Sequence, residues 1–153
     1  MTEGFVVEAV APERLHDLRR RVLRRDDPAA RVAEPRDDEP TALHLAGVLD
    51  GEVVVCASFY LAPYPIDPGR VDYQLRFMAT DEGQRGRGLG AVVLAAGEAE
   101  VVARGARRVW ANARDTALGF YERTGWRVVP DSALVSEETG LPHHVIVKDL
   151  AGD

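Results

Sequence analysis

The chain has 153 residues, close to one ordinary domain, with 46% hydrophobic and 29% charged side chains. Nineteen basic against 25 acidic residues leave a net charge of −6, which argues against a general polyanion binder and so against a nucleic-acid partner. One cysteine, Cys56, excludes an intrachain disulfide and a multi-cysteine metal site. No apolar run reaches the length of a membrane span. The opening MTEGFVVEAV has neither a basic n-region nor a cleavage pattern, so a cytoplasmic protein without a membrane partner is expected.

Taken in order, the alternation of Phe5, Val7 and Ala9 predicts a first strand. Pro12 opens a helix expected over 13–25, with Leu15, Leu18, Val22 and Leu23 on its buried face. Arg14, Arg19, Arg20, Arg21, Arg24 and Arg25 then form a cationic remainder, read as a solvated face because Glu13, Asp17, Asp26 and Asp27 interleave with it. Residues 26–40 carry three prolines and predict a long loop or a short second helix, long enough to be functional. Ala42 to Leu49 and Glu52 to Leu61 predict a hairpin around Asp50-Gly51. After the Pro/Gly-rich stretch 62–70, a strand is expected over 71–80. A glycine-rich turn then feeds an apolar helix that Gly105 stops. A strand over 108–113, a helix over 116–123, a strand over 126–129 and a last strand near 144–148 follow. The layout is a single mixed α/β domain over 1–153, without repeats or a linker.

Arg85-Gly86-Arg87-Gly88-Leu89-Gly90 is the most informative hexapeptide. Its alternating glycines allow tight turns and leave amides uncovered, between a strand end and a helix N-terminus that attracts anions. Arg85 and Arg87 add charge-assisted donors. The chemistry suggested is the cradling of a phosphate or pyrophosphate. A Walker A loop would end in Gly-Lys-Ser/Thr, and a dinucleotide fingerprint would space its glycines G-x-G-x-x-G; neither fits. The hexapeptide alone is equally compatible with a turn that merely closes a β–α connection.

Some twenty residues later comes the segment from Trp110 to Trp126. Together the two segments, within 73–127, resemble the GCN5-related N-acetyltransferases. The R/Q-x-x-G-x-G/A pattern that binds the acyl-coenzyme A pyrophosphate in that family falls on Arg85, Gly88 and Gly90. The later Asn, Ala, Phe-Tyr, Gly and aromatic positions fall on Asn112, Ala117, Phe120, Tyr121, Gly125 and Trp126. The resemblance implies a mixed, mostly antiparallel sheet of six to seven strands flanked by about four helices. It also implies direct acetyl transfer from acetyl-CoA to a primary amine of a small molecule or peptide, without a metal.

By the same resemblance, backbone groups of Met78, Ala79 and Thr80 would bond the pantetheine arm, and the Met78 amide would stabilise the thioester oxyanion. The pyrophosphate would meet Arg85, Gly86, Arg87, Gly88, Leu89 and Gly90. Tyr121 would protonate the departing thiolate, or else anchor its helix as half of an aromatic pair. Asn112 would bond the pantetheine arm or cap the next helix. Cys56, in the apolar stretch VVVCASFY, is expected to be a catalytic bystander. For the general base the candidates are His44, His143 and His144, with Glu82 and Asp72 able to act through water; His144, opening the last strand, is preferred. The alternative is a catalytically idle acyl-CoA-binding sensor of the same fold. The acceptor amine and a homodimer are left open, and acceptor choice is assigned to the loops 26–40, 62–72 and 130–142.

Overall fold

The computed structural model describes residues 3–150. In chain order it has β1 (Phe5–Ala9), α1 (His16–Leu18), β2 (Leu43–Leu49), β3 (Glu52–Leu61), β4 (Asp72–Thr80) and α2 (Leu89–Ala103). Then come β5 (Arg108–Arg114), α3 (Leu118–Arg123), β6 (Arg127–Val128), β7 (Leu134–Val135) and β8 (Pro142–Asp149). Hydrogen bonding orders the strands β1-β2-β3-β4-β5-β8-β6, with β7 on β8. β4 runs parallel to β5, while β1–β2, β2–β3, β5–β8, β6–β8 and β7–β8 are antiparallel. The expected mixed, mostly antiparallel sheet is found. Among the described residues it has eight strands and three α-helices, against the six to seven and about four anticipated. The extra strand, β7, is two residues long and too short to show periodicity. Residues 26–40 supply only the 3₁₀ turn Pro35–Asp38, since proline ends a helix that tries to run through it.

The chain divides into two compact units, one holding the residues up to 60 together with 75–100, the other holding 61–74 and the residues from 101 on. In the first unit, the β2–β3 hairpin turns at Asp50 and Gly51 with φ of +50° and +86°, the left-handed pair that a type I′ turn needs. Ala46, Val48 and Cys56 pack with Leu15 and Leu18 of the α1 region. Gly47 approaches Val55 and Val93, and Gly97 of α2 lies against Phe59, so α2 covers the opposite face. With both faces covered, β2 and β3 read as near-continuous apolar runs.

The helical stretch is tighter at its start and wider at its end than predicted: a 3₁₀ turn (Pro12–Leu15) precedes α1 and a π turn (Arg19–Leu23) follows it. Leu15 and Leu18 are buried as expected. Arg19 is not part of the solvated face; it is fully buried. Its guanidinium donates to Asp37 Oδ2 at 2.9 Å, to Ser58 Oγ at 2.8 Å and to the Val32 carbonyl at 2.8 Å. Asp37 also accepts the Tyr60 hydroxyl and the Glu34 amide. His44 closes the network, with Nε2 2.9 Å from the Asp37 carbonyl and Nδ1 2.7 Å from Ser58 Oγ. A carbonyl only accepts, so His44 Nε2 is the donor of that bond. This ties residues 32–37 onto the hairpin. The partner of Arg19 lies 18 residues away in sequence, which is why the local charge pattern around α1 misplaced it.

The second unit packs Tyr64, Trp110, Val145 and Val147 into one cluster with Ala62, Val129 and Leu134 around it. Its own buried pair is Arg108 with Asp72, Nε to Oδ1 at 2.8 Å and Nη2 to Oδ2 at 3.1 Å. Asp72 Oδ2 accepts the Tyr64 amide, and Arg108 also reaches Asp67, so the segment 62–72 is stapled to β5. Among the described residues, no helix is long and apolar enough to cross a membrane. Likewise, no group of three or more His, Cys, Asp or Glu side chains is placed to hold a metal ion.

A Cβ at Gly97 would lie 2.2 Å from the ring of Phe59, itself fully buried. Gly97→Ala is therefore expected to destabilise by about 1–3 kcal/mol through overpacking, read as a lower melting temperature despite alanine's better helix propensity. Burial pushes the Asp37 carboxyl up, but the hydrogen bonds from Arg19, Tyr60 and the Glu34 amide outweigh it and hold the group below the usual carboxylate range. A pKa lowered on folding contributes stability that is present at neutral pH and is lost as pH falls through the folded value. Asp37→Asn should accordingly cost about 3–5 kcal/mol at pH 7 by leaving Arg19 unpaired. Chemical denaturation at a series of pH values should show that deficit shrinking below about pH 4.

Candidate active site

In the first unit, β4 ends at Thr80 and the chain passes through a 3₁₀ turn (Glu82–Gln84) into the glycine turn. The Asp81 carboxylate caps that 3₁₀ turn, accepting the Gly83 amide at 3.2 Å. Gly86 and Gly88 have φ of +83° and +77°. A Cβ would meet nothing at either position, so glycine is required by backbone conformation and not by crowding. The Gly88 carbonyl accepts the Val92 amide at 3.3 Å. α2 begins here, and amides of its first turn have no intrahelical acceptor. Arg85, Gly86, Arg87 and Gly88 are exposed, and Arg87 is braced by Gln84 Oε1 at 2.5 Å. Two guanidinium groups, two left-handed glycines and the N-terminus of a 15-residue helix form a donor set suited to a pyrophosphate. Leu89 is 3% exposed, so its side chain belongs to the core and only its backbone is left for a ligand.

Just upstream, β4 departs from regular geometry. Phe77 has φ of +56°, a left-handed value that costs a bulky residue about 1–2 kcal/mol. Its carbonyl accepts the Cys56 thiol at 3.1 Å. The guanidinium of Arg19 lies 4.0 Å from its ring centroid and that of Arg76 4.7 Å. Phe77 and Ala79 are buried, while Met78 and Thr80 are partly exposed. Burial pushes the Cys56 thiol up to about 12, which keeps it protonated and without nucleophilic character. No periodicity in YQLRFMAT announced the left-handed residue.

In the second unit, Tyr121 lies on α3 and is buried between Phe120, 5.1 Å between centroids, and Trp126, 5.3 Å, both edge-to-face. Burial pushes its phenol above the usual range, so the hydroxyl stays protonated at neutral pH and carries a proton to donate. Asn112 is exposed on β5 and paired with Val145, whereas His144 is paired with Ala113. Cross-strand partners share a face and neighbours along a strand alternate, so Asn112 and His144 project from opposite faces. His144 Nδ1 lies 2.6 Å from Asp115 Oδ1, with the two side chains 28% and 38% exposed. That carboxylate orients the ring and leaves Nε2 as the nitrogen facing away from it. Asp115 went unnoticed in sequence because it lies 29 residues from His144.

The remaining base candidates fare differently. His44 is enclosed by Ser58 and Asp37 in the buried network, and Asp72 is 1% exposed and held by Arg108. Neither can reach a substrate proton. His143 Nδ1 lies 2.8 Å from the Leu141 carbonyl, and Glu82 is exposed in its 3₁₀ turn.

The model of the acetyltransferase (GNAT) family matches residues 12–126. An uncharacterised N-acetyltransferase of Bacillus subtilis, YitI, is 27% identical over 141 residues, covering 92% of this chain and 93% of its own length. Among solved structures, an aminoglycoside 6'-N-acetyltransferase complexed with coenzyme A superposes with a TM-score of 0.73 at 14% identity, covering 97% of this chain and 98% of that one. An N-acetyltransferase of Lactobacillus plantarum gives 0.73 at 21% identity, with 97% and 99% covered. The family match spans the helical stretch after β1, the left-handed bend in β4, the glycine turn and the Phe-Tyr helix, and the chain belongs to the GNAT family of acetyltransferases.

Proposed function

We propose that this chain transfers an acetyl group from acetyl-CoA directly onto a primary amine of a small molecule or peptide, in the cytoplasm. The observation that carries the reading is the pairing of an anion-binding glycine turn with a left-handed residue immediately before Met78. The coenzyme A complex of a structural neighbour supports the same cosubstrate. Arg85, Arg87 and the amides of Gly86, Gly88, Leu89 and Gly90 hold the pyrophosphate. Backbone groups of Met78, Ala79 and Thr80 hold the pantetheine arm, and the Met78 amide receives the charge developing on the thioester oxygen. Tyr121 donates a proton to the departing sulfur. The Asp115–His144 pair accepts the proton of the attacking amine, the carboxylate stabilising the imidazolium that results. The surplus of acidic residues favours a cationic acceptor by steering.

CoA release from acetyl-CoA in the presence of an amine panel tests the proposal; no release above background with any amine, and no calorimetric acetyl-CoA binding, would sink it. Binding without release would identify a sensor. Tyr121→Phe is expected to lower kcat about 100-fold or more while leaving acetyl-CoA affinity nearly unchanged; an unaltered kcat would make Tyr121 a packing residue. Gly88→Ala, forced into a left-handed conformation, should instead weaken acetyl-CoA binding several-fold as measured by calorimetry, with the fold intact.

A further inference from the structure

Phe77 is the left-handed residue of β4, and two separate contacts hold it. At the backbone, the thiol of Cys56 donates to its carbonyl at 3.1 Å. At the side chain, the buried guanidinium of Arg19 lies over its ring, 4.0 Å from the centroid, with Arg76 4.7 Å away. The Nε of Arg19 has no hydrogen-bond partner among the described residues, so the group forgoes one bond while stacked on the ring. Arg19 itself cannot drift, because Asp37, Ser58 and the Val32 carbonyl fix its other nitrogens.

No cis peptide occurs among the described residues. In a trans peptide the carbonyl and the following N–H point in opposite directions across one rigid plane. Cys56 therefore fixes more than the Phe77 carbonyl: it directs the Met78 N–H away from itself. We propose that Cys56 and Arg19 are positioning residues that hold Phe77 left-handed and so aim the Met78 amide at the thioester oxygen. This rests on the acetyltransferase reading for the role of Met78. It gives Cys56 a purpose that its burial and inert thiol otherwise conceal.

The diagnostic comparison is between Phe77→Gly and Phe77→Ala. Both lose the ring, but glycine takes a positive φ freely and alanine does not. If the clamp exists to maintain that conformation, Phe77→Gly keeps kcat about fivefold or more above Phe77→Ala, with similar KM for the amine. If the ring is merely core packing, Phe77→Ala equals or exceeds Phe77→Gly, and the proposal is overturned. Cys56→Ser, which retains a donor, should stay above Cys56→Ala in kcat; equal values for the two would also overturn it. Thermal unfolding separates this from the functional reading. If the parent enzyme transfers acetyl to no amine, that reading fails, yet Phe77→Gly should still melt above Phe77→Ala. The reverse order of melting would reject the clamp whatever the activity.

Discussion

A single buried guanidinium, that of Arg19, connects most of what distinguishes the first unit. It pairs with Asp37, donates to Ser58 and the Val32 carbonyl, and stacks on Phe77. Burying a charge is costly unless nearly every donor finds a partner, and here the partners come from three stretches of chain. One of those stretches is the proline-rich segment 26–40, which would otherwise have little apolar surface with which to dock. Another is the bend of β4 on which acetyl transfer is proposed to depend. The same charge therefore orders a loop assigned to acceptor choice and a strand assigned to the cosubstrate.

The second unit uses the same device with a different pair. Arg108 and Asp72 bond in a two-point contact, and Arg108 also lies 4.6 Å from the Tyr64 ring centroid. The result is again a proline-rich connection, 62–72, held to a strand by charge and stacking. In both units arginine suits the task, since its planar group can bond in its plane and stack on its face at once. The abundance of arginine in the composition takes on a structural meaning at these two positions, while Arg20 and Arg21 form the expected solvated pairs with Asp17.

Much of this fold was legible in sequence because local rules carried it. Asp50-Gly51 specified its hairpin, Pro12 opened its helical stretch, and Gly86 and Gly88 specified left-handed turns before α2. What stayed hidden depended on partners distant in sequence. Arg19 looked like its exposed neighbours until Asp37 was seen beside it; Asp72 looked like a free carboxylate until Arg108 was. Phe77 is the sharpest case, since phenylalanine predicts a regular strand and only the surrounding contacts impose a positive φ. The candidate site was legible where glycine or a Phe-Tyr pair marked it, and illegible where tertiary contacts made an ordinary residue unusual.

In the proposed reaction the bend at Phe77 presents the Met78 amide to the acetyl group of acetyl-CoA. The most direct measurement follows backbone amide resonances of the isotope-labelled protein during titration with CoA and, separately, with a non-reactive acetyl-CoA thioether. Both ligands should shift the amides of Gly86 and Gly88, and only the acetyl analogue, which carries the carbonyl oxygen, should shift Met78 strongly to lower field. A Met78 amide that responds equally to the two ligands, or to neither while the glycine turn responds, would contradict the account.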